Sequence, residues 1–134
     1  MKFINQLLLK YNKYREKRRI KQEAAWKQFF LNKYGINYDI DKDKLTRQNI
    51  LEIFWKILKW PKGYDVSNFD GNTSTRAPAK QSWEWDDLGD TEFVDDLRRI
   101  FGFSKIELTY AEYDQVKTFG ELADLIIKKA NEKK

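Results

Sequence analysis

Neither Cys nor His occurs in this sequence. Their absence removes disulfides, thiolate nucleophiles, Cys- or His-based zinc sites, imidazole acid–base catalysis and the Ser-His-Asp triad. Proton transfer is left to carboxylates, lysines and tyrosines, and the densest carboxylate run is Asp86, Asp87, Asp90, Glu92, Asp95 and Asp96. Asp86 and Asp87 are adjacent, and neighbours on a helix point about 100° apart, so they make no ready carboxylate dyad. There is no glycine-rich phosphate loop of the Gly-x-x-x-x-Gly-Lys type. Asp39, Asp41 and Asp43 alternate as calcium ligands do, but Lys44 stands where such a loop turns on Gly, and Ile50 where it needs a bidentate Glu. The sequence therefore predicts no catalytic residue, no metal ligand and no cofactor, and the protein reads as a binder rather than an enzyme.

The means of binding lie in the charge distribution. The net charge of +5 conceals two opposed regions. Residues 1–34 carry ten Lys or Arg against Glu16 and Glu23, whereas residues 83–134 carry thirteen acidic against eight basic side chains. A screened field decays over about 8 Å in physiological salt, so a partner meets each region separately. Lys10, Lys13, Arg15, Lys17, Arg18, Arg19 and Lys21, interleaved with Tyr11 and Tyr14, have the makings of a nucleic-acid contact, with cations for phosphates and rings for bases. The competing reading is a solvated helix face, or an arm folded onto the acidic half. Trp83 and Trp85, beside the acidic run, are candidate apolar anchors for a protein partner with a basic surface, or else core residues.

Local signals place these residues on helices. No Pro or Gly interrupts residues 3–33, and Phe3, Leu7, Tyr11 and Tyr14 recur at helical spacing, which predicts one long helix ended by Gly35, solvated in its middle and packed at its ends. Thr46 caps a core helix reaching about Trp60, where Pro61 stops it. Residues 61–83 read as a long loop rich in Gly, Ser, Asn, Thr and Pro; the sequon Asn72-Thr73-Ser74 within it is attributed to chance. Residues 86–101 return to helix, with Phe93, Leu97, Ile100 and Phe101 on one side. Thr109 with Glu112, and Thr118 with Glu121, have the offset of a capping box and mark two further starts, the last helix running from Phe119 to about Asn131. No period-2 strand is evident, so the fold class is all-α, in a single domain of residues 1–134.

In this order the C-terminal half resembles an acyl carrier protein. Asp86-Asp87-Leu88, followed at the same spacing by Glu92, Phe93, Val94, Leu97 and Phe101, is similar to the family's second helix, which opens with Asp-Ser-Leu. Val116, Thr118, Phe119, Gly120 and Glu121 resemble the family's apolar-x-Thr-Val-Gly-Asp block before its final helix. The resemblance implies an acyl-carrier-like helical bundle over residues 46–130, with the basic helix of residues 1–35 as an addition. It also places Asp87 where the family's serine carries phosphopantetheine. A carboxylate cannot form that phosphodiester, and Ser67, Ser74, Ser82 and Ser104 stand at no matched position.

The resulting expectation is a non-catalytic, acyl-carrier-like protein-interaction module of bacterial type. Its partner-binding residues are Trp83, Trp85, Asp86, Asp87, Asp90, Glu92, Asp95 and Asp96. Two alternatives stand beside it: an immunity protein or antitoxin covering the basic face of a toxin such as a nuclease, and nucleic-acid binding through the basic helix. No run of about 18 apolar residues occurs, and Lys10 interrupts Leu7 to Leu9, so the sequence predicts no membrane span, no signal peptide, no membrane partner and a cytoplasmic location. The oligomeric state stays open, because Phe3, Leu7 and Tyr11 can pack on the chain's own domain or on a second copy.

Overall fold

The computed structural model describes residues 2–37, 41–59, 65–78 and 87–133, with Lys42, Asp87, Leu88 and Gly89 described by backbone alone. It divides into two compact units, Met1–Asn37 and Tyr38–Lys134.

The first unit is essentially one helix, α1 (Lys2–Tyr34), of 33 residues. With no Pro or Gly to interrupt the ladder it runs until Gly35, whose φ of +69° only glycine adopts at little cost. The Gly35 amide donates to the Leu31 carbonyl at 3.0 Å and closes the helix end. Near that end Trp26, Phe29, Phe30 and Tyr34 form a ring cluster with centroids 5.6–6.1 Å apart, and Phe30 and Tyr34 are buried. The middle of α1 is exposed throughout, as its polarity requires. The opposite end corrects the expectation that both ends pack: Phe3, Ile4, Leu7, Leu8, Tyr11 and Tyr14 are all more than half exposed.

The second unit is a helical bundle. A single 3₁₀ turn at Lys42–Lys44, capped by the Asp41 carboxylate, precedes α2 (Arg47–Leu58). Then come α3 (Asp87–Phe101), the short α4 (Tyr110–Gln115) and α5 (Phe119–Glu132). Three threonines act as N-caps at the expected positions: Thr46, Thr109 and Thr118 accept from the amides of Asn49, Glu112 and Glu121 at 3.1–3.2 Å. Thr109 and Glu112 complete the reciprocal capping box. Glu121 instead turns its carboxylate to the Lys117 amide at 2.8 Å, leaving the second box half made. Gly102, at φ +72°, ends α3, and the Phe103 amide reaches back to the Arg98 carbonyl at 2.8 Å.

The apolar stripes of α2 and α5 pack against each other, and α3 packs against α4. Phe119, the first residue of α5, lies at the centre with no exposed surface, its ring 5.1–6.0 Å from those of Phe69, Phe54 and Phe93. Edge-on and tilted contacts of this kind add to the area each ring removes from water. Among the described residues the architecture is all-α, the only extended pairing being an isolated antiparallel bridge between Ser74 and Thr118.

Candidate functional site

The acidic helix presents less charge outward than its sequence promises. One turn into α3, Asp90 lies on the side that also carries Phe93, Val94 and Leu97, and its carboxylate accepts from the Tyr113 hydroxyl at 3.1 Å. Burial and the neighbouring Asp90 charge push the Tyr113 hydroxyl above the ordinary tyrosine range, so it stays a neutral donor. Asp90 thereby ties α3 to α4. Asp95 is engaged by Arg98, Nη1 to Oδ1 at 2.8 Å, while the same guanidinium's Nε donates to the Leu108 carbonyl at 2.6 Å. Glu92 is exposed and Asp96 half-buried. By helical spacing these two share the side away from the apolar stripe with the exposed Arg99, so that surface is mixed in sign. The backbone of Asp87 lies in the first turn of α3; Trp83, Trp85 and Asp86 lie outside the described residues.

The described part of the long loop, residues 65–78, is pinned to the start of α5. Asx and Ser/Thr turns shape it: Asp65, Asp70 and Ser74 side chains accept from the amides of Ser67, Asn72 and Arg76. Three backbone bonds between distant segments then hold it, from Gly120 to the Gly71 carbonyl at 2.9 Å, Phe119 to Thr73 at 3.0 Å and Thr75 to Lys117 at 3.1 Å. The buried Thr75 hydroxyl donates to the Val116 carbonyl, and Arg76 clamps Asp114 through both its carbonyl and its carboxylate, at 2.9 and 2.6 Å. The amides of Phe119, Gly120 and Glu121 are all satisfied by protein acceptors, so the N-terminus of α5 is an anchor for the loop.

Gly120 explains itself in this setting. A Cβ there would stand 2.7 Å from the Gly71 carbonyl oxygen and 2.0 Å from Nη2 of Arg47. Arg47 lies across the glycine and pairs with Asp124, Nε to Oδ1 at 3.5 Å. Sequence reasoning identified Gly120 only as part of a matched block and missed the loop that makes it necessary. It also missed the half-buried pair of Lys129 with Glu112. The abundance of Asn, Ser, Thr and Asp in residues 65–78 was the available signal, since these are the side chains that fold a loop onto its own backbone.

On α1, Lys10, Lys13, Arg15, Lys17, Arg18, Arg19 and Lys21 are all exposed, and Arg19 lies 4.0 Å from Glu16. Among the described residues no group of acidic side chains is placed to hold a metal ion, and no helix is long and apolar enough to cross a membrane. No family model matches the chain, and no curated protein or solved structure matches it.

Proposed function

We propose that residues 46–130 form an acyl-carrier-like bundle that works as a non-catalytic protein-recognition module, with the start of α3 as the centre of the contact. The observation that carries this reading is the position of Asp87: it lies in the first turn of α3, where a carrier's helix would present its modified serine. The order of the described helices in the second unit supports it, with α2, then α3, a short α4 and the closing α5. So does the matched block around Gly120, where Thr118 caps α5 and the glycine admits a neighbouring backbone. With a carboxylate in place of the hydroxyl, the module has no site for a swinging arm, and recognition is the function left to it. Charge near the contact speeds and selects encounters, and affinity must come from apolar anchors, for which Trp83 and Trp85 are the candidates.

Replacing Asp87 by Ser tests the reading directly. Co-expressed with a promiscuous phosphopantetheinyl transferase, Asp87→Ser should gain the mass of one prosthetic group, the serine oxygen attacking the coenzyme A pyrophosphate and releasing adenosine 3′,5′-bisphosphate. The unaltered chain should gain none. A folded Asp87→Ser variant that stays unmodified removes the carrier-like assignment of α3.

A further inference from the structure

The first half of α1 carries an apolar face whose flanking charges specify its occupant. At 100° per residue, Phe3, Ile4, Leu7, Leu8, Tyr11 and Tyr14 fall within an arc of about 140°, in a stripe roughly 17 Å long. All six are exposed, Phe3 at 71% and Leu7 at 51%. Lys10 and Lys17 border one edge of the arc and Arg19 the other; Lys2 and Lys13 lie on the far side with Asn5, Gln6, Asn12 and the apolar Leu9, and beyond Tyr14 the line of the arc passes to Arg15 and Arg18. No acidic residue occurs before Glu16.

Three occupants compete for such a face, and the charges decide among them. A second copy of α1 is disfavoured, because the seam formed by Ile4, Leu7, Tyr11 and Tyr14 continues by heptad spacing into Arg18 and Lys21, setting like charges opposite each other. A nucleic acid would satisfy the cations and stack on the rings but give Ile4, Leu7 and Leu8 nothing to bury against, since such interfaces are polar and strongly charged. An anionic bilayer surface answers both: the apolar arc enters the boundary between headgroups and acyl chains, and the bordering Lys and Arg side chains extend their stems to reach the headgroups. We infer that residues 2–14 form the lipid-facing part of an in-plane helix that docks on an anionic lipid surface. Such a helix needs no membrane-spanning length, so the absence of a spanning helix among the described residues does not bear on it.

The test is co-sedimentation of the full chain with large vesicles of phosphatidylcholine alone, or of phosphatidylcholine mixed equally with phosphatidylglycerol. The chain should bind the anionic vesicles, release at high salt, and bind neutral vesicles about tenfold less. Ile4→Asp with Leu8→Asp should lower the anionic partition at least about tenfold, and Lys10→Glu with Arg19→Glu should do the same while leaving the apolar arc intact. Both pairs are exposed, and circular dichroism checks that α1 remains helical. Equal binding to neutral and anionic vesicles, no binding to either, or undiminished binding by the Asp variant overturns the inference. So does RNA or DNA binding indifferent to the Asp pair in a chain that ignores vesicles, or a dimer that the Asp pair dissociates.

Discussion

The first half of α1 and the whole of α5 are both amphipathic helices, yet they end in opposite states. Along α5, Phe119, Leu122, Ala123, Ile126 and Ala130 are buried. The corresponding stripe of α1, made of larger apolar side chains, stays exposed. Helical periodicity therefore says that a face seeks cover without saying what supplies it. For α5 the cover is other apolar surface of the same unit, chiefly α2 and the pinned loop. For α1 the bordering cations make the better guide, because they limit the occupant to something negatively charged and apolar together.

The largest way to sharpen this contrast is to truncate one residue of each kind. Phe119→Ala should cost about 3–5 kcal/mol in urea unfolding followed by fluorescence, because it empties the position where the rings of Phe54, Phe69 and Phe93 meet. Leu7→Ala, made on α1, should change the same midpoint by no more than about 0.5 kcal/mol. Similar losses at the two positions would mean that the exposed stripe is structural after all. A smaller effect is expected at Gly120. There the crowding Arg47 guanidinium can swing away, but the Gly71 carbonyl cannot withdraw without lengthening its bond to the Gly120 amide. Gly120→Ala should cost about 1–3 kcal/mol, and adding Arg47→Ala should recover only part of it. Full recovery would show that the loop backbone is free to move and that its anchoring is weak.

Residues whose role is local were legible in the sequence. Thr46, Thr109 and Thr118 cap helices because a hydroxyl at that offset meets an amide within the same turn, and Gly35 ends α1 because only glycine takes that backbone angle cheaply. The candidate site was less legible, since its residues are set by long-range pairings that periodicity does not encode. Asp90 reads as one more surface carboxylate until Tyr113, twenty-three residues on, captures it. Arg98 and Arg99 look equivalent in the chain, but Arg98 is drawn in by Asp95 and the Leu108 carbonyl while Arg99 stays exposed. Residues 65–78 carry the composition of a loop, and that composition does not distinguish a free loop from one bonded across to α5.

The finest distinction between the two regions is electrostatic, and it turns on Glu112. Its carboxylate accepts from the Thr109 amide and hydroxyl at 3.2 and 3.0 Å and pairs with Lys129. Burial alone would push this carboxyl up, but the Lys129 and Thr109 bonds outweigh it and hold the group below the usual glutamate range. A carboxyl that titrates lower in the folded chain than in the unfolded one stabilises the fold above its unfolded value, and that contribution disappears as pH falls through the folded value. Glu112→Gln keeps an acceptor for Thr109 but leaves Lys129 without its counter-charge. It should therefore cost about 1 kcal/mol at neutral pH, with the gap to the unaltered chain closing in acid. Urea midpoints across that range measure it. Glu16→Gln on α1 supplies the comparison, because the Glu16–Arg19 pair is wide and exposed and should change nothing measurable at any pH. A Glu112 gap that stayed constant from neutral to acid pH would mean that the charge of the carboxylate does not stabilise the bundle, and that its pair with Lys129 is as idle there as the Glu16–Arg19 pair is on the helix.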